Sequence, residues 1–351
     1  MRDGKVRAAV VGCGYIGHRH IDMIEANPEM ELAAVADVRP REACGAPAGA
    51  PFFASAAEML ASTPGLDIAA ICTPNGLHAD MAVECLEAGV NVLMEKPMAL
   101  STADAMRIRE AERASGRRLL TVFQNRYTPA SAWLHEVVGG GLLGRLTSVN
   151  VSCLWNRDNR YYRPGSWHGT ADLDGGVLYT QFSHYLDIML WLVGPVDIVA
   201  ADFADFAHHA TTDFEDTGTV LFRTRRDGAL GSLYYTTAVP GENLESSITL
   251  VGTRGCVKVS GQYMSDVAVC RIDGYTMPSL PPPNPPNDYG CYKGSAANHS
   301  MVYANVADVL LRGAAPTATW DDGFEVVSTI GRIYALRRGD FSACGRLQYV
   351  P

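Results

Sequence analysis

No stretch of this sequence approaches the roughly 20 consecutive apolar residues that a bilayer-spanning helix needs, so a membrane partner is not expected. Basic charge is also short. Lys and Arg total 29 against 38 Asp and Glu, leaving a formal charge of -9 at pH 7, and no basic stripe is visible. A surface that coats phosphates needs a dense excess of Lys and Arg, so nucleic acid is excluded as a partner. The nine cysteines are scattered, odd in number and never spaced as CxxC. That pattern argues against both a disulfide framework and a cysteine zinc site. Arg2 and Lys5 stand near the start, but the apolar run at 8–11 is too short for a signal-peptide core and leads straight into a glycine motif. A cytoplasmic protein is expected. What remains, 47% hydrophobic and 19% charged residues, is an ordinary globular composition.

At 351 residues the chain exceeds the roughly 250–300 at which single cores stop growing. Two domains are expected. Up to about residue 125, short β-branched runs at 6–11, 32–36, 68–72, 90–94 and 119–122 alternate with helical spacing at 16–26, 79–88 and 103–114, the last capped by Ser101 or Thr102. Such alternation predicts an α/β Rossmann domain over 1–125, a doubly wound parallel sheet. From 126 to 351 the pattern predicts an α+β domain with a mostly antiparallel open sheet: a helix at 187–192, then strands at 218–222, 229–235 and 247–251. Six prolines between 277 and 286 read as an extended loop outside any sheet. Helices near 299–311 and 324–336 close the chain, and the C-terminal helix could pack back on the first domain.

Gly12, Gly14 and Gly17 form GxGxxG between the first strand and the first helix. The first glycine makes the turn, the second lets the backbone approach a pyrophosphate, and the third allows close helix–strand packing. Asp37 follows the second strand, 20 residues beyond Gly17, where a carboxylate accepts hydrogen bonds from ribose hydroxyls. The same carboxylate repels a 2′-phosphate, so NAD is expected over NADP. Arg39 argues the other way and is read as a solvated loop charge.

Thr73-Pro74-Asn75 with His78 follows one strand, and Glu95-Lys96-Pro97 follows the next. Together with the glycine motif they resemble the glucose-fructose oxidoreductase, inositol dehydrogenase and rhizopine-catabolism (Gfo/Idh/MocA) family, over nearly the whole chain. The resemblance implies that Tyr15, Ile16, Thr73, Asn75 and His78 join the cofactor, with Glu95, Lys96 and Gln124 beside it, and that a cis peptide precedes Pro97. Lys96 is the expected base: oxidation of a sugar hydroxyl requires loss of its proton as hydride leaves carbon, and burial beside a cationic nicotinamide favours a neutral lysine. In the family a glycine pair precedes an aspartate, with a histidine four residues later inside an HxxD turn. Here Gly175, Gly176, His184 and Asp187 match, but Thr180 holds the aspartate position. Proton relay then falls to His184, oriented by Asp187, with Thr180 or Tyr179 at most donating a hydrogen bond. His208 and His209 read as loop residues, and no metal is expected.

Between 155 and 170 the chain concentrates Trp155, Arg157, Arg160, Tyr161, Tyr162 and Trp167, a set that suits an anionic carbohydrate. The plainer reading is an edge strand and loop whose aromatics pack at a subunit contact. Arg126 and Gln181 complete the expected substrate set. This region is most similar to the nucleotide-sugar 3-dehydrogenases of the family, of the type that oxidises UDP-N-acetylglucosaminuronate. Alternatives are an inositol or free-sugar dehydrogenase, a keto-sugar reductase, and a non-enzymatic sensor of NAD or sugar, which the intact Glu95-Lys96-Pro97 disfavours. A homo-oligomer, dimer or tetramer, is implied by the resemblance.

Overall fold

The strand β1 (Val6–Val11) is buried at every position but one. Such near-continuous apolar runs mark strands covered on both faces, and β4 (Ile68–Ile71), buried throughout, is another. The computed structural model describes residues 4–290 and 292–337, so Arg2, Cys291 and Cys344 lie outside it. The chain continues from β1 through α1 (Tyr15–Ala26), β2 (Met30–Ala36), α2 (Arg41–Cys44), β3 (Phe52–Phe53) and α3 (Ala56–Ser62) to β4. After β4 come α4 (His78–Glu87), β5 (Asn91–Met94), α5 (Thr102–Ser115) and β6 (Leu119–Thr121). Ser101 caps α5, its Oγ accepting the Asp104 N–H at 3.0 Å, as the sequence predicts. The six strands pair in parallel in the order β3-β2-β1-β4-β5-β6. The order reverses between β1 and β4, the switch point beside which doubly wound sheets bind ligands at the carboxyl ends of their strands.

A second sheet follows. After α6 (Pro129–Gly139) come β7 (Leu146–Leu154), the short α7 (Val177–Thr180) and α8 (Ser183–Val193). Six strands succeed them: β8 (Val196–Ala204), β9 (Thr217–Thr224), β10 (Leu230–Thr236), β11 (Glu245–Gly252), β12 (Gly255–Ser260) and β13 (Asp266–Ile272). Their order is β13-β12-β11-β7-β10-β9-β8, with β7 and β10 parallel and every other pair antiparallel. Alternation is clean in β9, where Gly218, Val220, Phe222 and Thr224 point inward. The inner face is covered by α8, which packs on β7 and α6.

Two expectations need correcting. The segment from 155 does not continue an edge strand, because β7 is paired on both sides and lies at the centre of the sheet. The proline stretch does not stay wholly outside a sheet either. Pro286 opens β14 (Pro286–Asp288), which pairs with β15 (Lys293–Ala296). A first-residue proline is tolerated there because the missing N–H is not needed by the ladder.

The chain closes with α9 (His299–Arg312) and α10 (Trp320–Tyr334). Two compact units result: Met1–Tyr127 with Ala296–Ser328, and Thr128–Ser295 with Thr329–Pro351. In the first, α9 is part of the core, its Val302, Tyr303, Val306 and Val309 packing in one cluster with Val6, Ile21 and Ile24. No helix among the described residues is long and apolar enough to cross a membrane.

Candidate active site

In the first unit β1 delivers the chain to Gly12, and α1 begins one turn later with Gly14 as its N-cap. A Cβ on Gly17 would stand 2.0 Å from the Gly12 carbonyl oxygen, whereas one on Gly14 would meet nothing within 4 Å. The helix is thus pressed against the strand on one side and open on the other. Its first-turn N–H groups and dipole present a place for an anionic pyrophosphate, so this loop fits a dinucleotide. Tyr15 is exposed and Ile16 half-buried at the same helix start.

Asp37 leaves the end of β2, and its Oδ2 accepts the Cys13 N–H at 2.7 Å. Arg39 is a half-exposed loop charge, as expected, but it is paired: Nε reaches Oδ1 and Nη2 reaches Oδ2, both at 2.9 Å, and Nη2 also donates to the Cys13 carbonyl at 3.0 Å. Burial would raise the Asp37 pKa, but these bonds outweigh it and hold the carboxyl below its ordinary value. Burial also pushes the adjacent Cys13 thiol up to about 12, which keeps it protonated.

His78 opens α4 and is buried, with Nδ1 2.7 Å from the Pro97 carbonyl and Nε2 2.9 Å from the Thr73 carbonyl. It therefore staples the loop after β4, which holds Thr73 and the buried Asn75, to the loop after β5. Burial lowers its pKa against the pull of those two carbonyls. Next to it, the Lys96–Pro97 peptide is cis. Glu95 is spent on protein partners: Oε1 lies 2.9 Å from His20 Nε2, and Oε2 accepts the Lys96 N–H at 3.1 Å. His20 Nδ1 is 2.7 Å from the Tyr303 hydroxyl, and His299 Nε2 is 3.6 Å from Glu95 Oε1. Burial would raise the Glu95 pKa, yet hydrogen bonds and charge from His20 and His299 hold it well below the usual carboxylate range. Gln124 and Arg126, in the turn after β6, are buried. Arg126 donates to the Thr317 carbonyl at 2.9 Å and to Asp322 at 2.8 Å, so its charge is matched inside this unit.

In the second unit the residues after β7 form an aromatic frame. Trp155 Nε1 donates to Ser246 at 2.8 Å, and its ring meets Phe182, Tyr185 and Tyr263 edge-on. Arg157, 4% exposed, lies 4.7–5.2 Å from the ring centroids of Trp155, Tyr161 and Tyr292. It donates to the carbonyls of Asn156 and Lys293 and to Asn243 Oδ1, while its Nε, also buried, has no hydrogen-bond partner. No carboxylate pairs with it among the described residues. Arg160 differs, being half exposed and bonded to Asp158 at 2.7 Å. The Tyr161 hydroxyl accepts from Gln181 Nε2 at 2.9 Å, and its ring stacks on His168, which in turn meets Trp167. Tyr162 is buried against His208 and Phe214.

Asp174, fully buried, accepts the Gly169 N–H at 2.9 Å and the hydroxyl of Thr180. A carboxylate therefore stands beside the position where the family carries its aspartate. Gly176, at φ 126°, starts α7, and a Cβ there would stand 2.5 Å from the Tyr334 hydroxyl. His184 and Asp187 lie one turn apart on α8, both buried.

Several groups escaped the sequence. His20 is three residues beyond Gly17 on the buried face of α1, a polar residue at an apolar position, and that was its only readable signal. His299 and Tyr303 gave none. His208 lies in a loop, as expected, but is buried and bonded to Asp216 at 3.1 Å and to the Arg157 carbonyl; burial would lower its pKa, but Asp216 raises it. Among the described residues two groups gather metal-type ligands, His20–Glu95–His299 and Asp205–His208–Asp216. Glu215 is fully buried, accepts hydroxyls from Tyr235 and Tyr334 on Oε1 and leaves Oε2 without a partner. Burial pushes its pKa up to about 7.

The family models give the context. One described as an oxidoreductase family with an NAD-binding Rossmann fold matches residues 6–123, and the Gfo/Idh/MocA C-terminal domain matches 132–258. The chain belongs to the Gfo/Idh/MocA family. As a member it is an NAD-dependent oxidoreductase. Among solved structures it is similar to the WlbA dehydrogenase of Bordetella pertussis, in complex with NADH and UDP-GlcNAcA, at 32% identity and TM-score 0.83 over 95% of this chain and 96% of that one. The WlbA dehydrogenase of Chromobacterium violaceum, with the same two ligands, is 33% identical at TM-score 0.85, covering 96% of this chain and 94% of that one. Inositol 2-dehydrogenase of Rubrobacter xylanophilus is 29% identical over 73% of this chain and 71% of its own.

Proposed function

We propose that this oxidoreductase oxidises a ring hydroxyl of an anionic nucleotide sugar, a UDP-hexuronate such as UDP-N-acetylglucosaminuronate. The observation that carries this is Arg157, a buried guanidinium with a bare Nε and no carboxylate partner, framed by three aromatic rings. A buried cation without a counter-charge is costly, and a bound carboxylate or phosphate supplies the missing charge. The two WlbA enzymes hold a ligand of this class. Arg160, Tyr161, Tyr162 and Trp167 belong to the same segment, and Gln181 fixes the Tyr161 hydroxyl.

In this scheme Lys96, starting as the neutral amine, takes the hydroxyl proton, and His184, oriented by Asp187, relays it onward. NAD supplies the acceptor for the hydride that leaves the same carbon. Thr180, bonded to Asp174, donates at most a hydrogen bond. The reverse reaction uses Lys96 as the acid. Gly12, Gly14 and Gly17 with Asp37 hold the dinucleotide, assisted by Tyr15, Ile16, Thr73, Asn75, His78 and Gln124.

The test is a spectrophotometric assay of NADH formation with UDP-hexuronates, neutral UDP-sugars, inositol and free sugars. Turnover with the UDP-hexuronate alone is expected, and Lys96→Met should lose at least about 10³-fold in kcat while NAD affinity stays within a small factor. Retained turnover in that variant removes Lys96 from its role. Turnover with inositol alone selects the second reading, an inositol dehydrogenase, which the Rubrobacter xylanophilus relative favours.

We also infer a homo-oligomer, dimer or tetramer, that covers the outer face of the seven-stranded sheet. Leu221, Leu230, Tyr234 and Val251 share that face by register and are exposed.

A further inference from the structure

We propose that Glu95 is a positioning residue for Lys96, with His20, His299 and Tyr303 as the buried groups that hold its carboxylate in place. The proposal rests on Lys96 being the base. Three elements of the first unit converge on this one carboxylate: β5 delivers it, α1 brings His20 and α9 brings His299 and Tyr303. Oε1 takes the His20 ring, and Oε2 closes back on the N–H of the very next residue, Lys96. Both nitrogens of the His20 ring are engaged, Nε2 by Glu95 at 2.9 Å and Nδ1 by the Tyr303 hydroxyl at 2.7 Å, which fixes the ring's orientation. From the other side His78 Nδ1 meets the carbonyl of Pro97. The backbone that carries Lys96 is therefore gripped on both flanks by side chains bonded within the fold.

A buried ionic group contributes little to stability when an apolar pair of the same shape would pack as well. This one is bonded to the backbone N–H of the lysine, and on the proposal its charge is part of the field at the amine. A carboxylate close to an ammonium favours the charged form. Glu95 accordingly sets how much of Lys96 is neutral at a given pH, opposing the effect of a cationic nicotinamide. The titratable groups that face Glu95 are His20 on α1, His299 and Tyr303 on α9, His78 on α4 and Cys72 after β4, with Arg19 acting on His299 and Lys96 on His78.

The experiment compares wild type, Glu95→Gln and Glu95→Ala. In each, the pH dependence of Lys96 acylation by a water-soluble anhydride is mapped by mass spectrometry, with thermal melts and NADH fluorescence titration as checks of folding. The labelling midpoint is expected to fall by about one pH unit, roughly 1.4 kcal/mol, in both variants, because both lack the charge. Glu95→Gln keeps an oxygen for the Lys96 N–H, so its kcat recovers when assayed at the shifted optimum. Glu95→Ala keeps neither feature and stays down about tenfold or more in kcat with KM for NAD little changed. An unmoved midpoint in folded, NADH-binding variants overturns the proposal. So does one equivalent of tightly held transition metal in the purified protein that His299→Ala releases, which would make the three side chains a metal centre. If Glu95→Ala does not fold, the isosteric Glu95→Gln carries the test. Labelling needs no substrate, so a protein that turns over no sugar in any assay refutes the functional reading and leaves this result standing by itself.

Discussion

At Gly17 the distance to the Gly12 carbonyl leaves no room for a methyl group. Gly17→Ala must push α1 away from β1, and we expect NADH affinity to fall about tenfold or more while the melting temperature drops by a few degrees, as overpacking at one site typically does. Fluorescence titration and calorimetry read the two effects separately. Glu215 gives a prediction with a sign. Its pKa is about 7 in the folded protein against 4.5 for the unfolded group, so the folded state binds the extra proton between these values. Stability is therefore greatest below pH 4.5 as far as this group is concerned, and falls as pH rises through 7 by up to about 3 kcal/mol. Glu215→Gln should flatten that slope in urea melts between pH 5 and 8, and an unchanged slope would refute the assignment. At this scale the sequence displayed the residues that belong to motifs, such as Gly12 or Lys96. It hid those whose partners are remote: His20, Glu95 and His299 are separated by 75 and 204 positions, and nothing local announces that they meet.

Among the elements, those with strong periodicity were legible and those without it were not. Strand β1 was read from 6 to 11 and occupies those residues; α5 was read with its cap. Helix α8 begins four residues before its expected start: every residue but Trp191 is buried, the polar Ser183, His184 and Asp187 included, so no exposed face sets a helical period. Strand β8 has no regular alternation of buried and exposed positions, and β3 has two residues, too few for any period to show. The Ser101 cap provides a measure of element stability. Ser101→Ala removes the acceptor for the Asp104 N–H and should cost about 1 kcal/mol in chemical denaturation. Substituting the outer face of the second sheet tests another property. Leu221→Glu together with Leu230→Glu should convert the oligomer to monomer in light scattering while leaving the fold's circular dichroism in place; an unchanged mass would place the subunit contact elsewhere.

For the whole molecule, the classes of the two sheets were readable from the change of pattern near residue 125, whereas residues 296–328, expected in a domain over 126–351, fall in the first unit. The route of the chain between the two units was not readable, because hydrophobic spacing says which face of α9 is buried and not against what. That face, with Tyr303 and Val306, belongs to the core of the first unit. A fragment ending at Tyr127 should accordingly be poorly folded, with weak NADH binding and exposed apolar surface by dye fluorescence, and adding a peptide of residues 296–328 should restore part of both. A fragment that binds NADH as tightly as the full chain would refute this.

The order in which the chain visits its two units also bears on its synthesis. The glycine loop leaves the ribosome early, but the helix that seals the core beneath it is made only after residues 128–295 have been added. The part of the protein that begins first is thus completed late, and during elongation its apolar face must wait, open to water or to a chaperone, for a partner still to be translated.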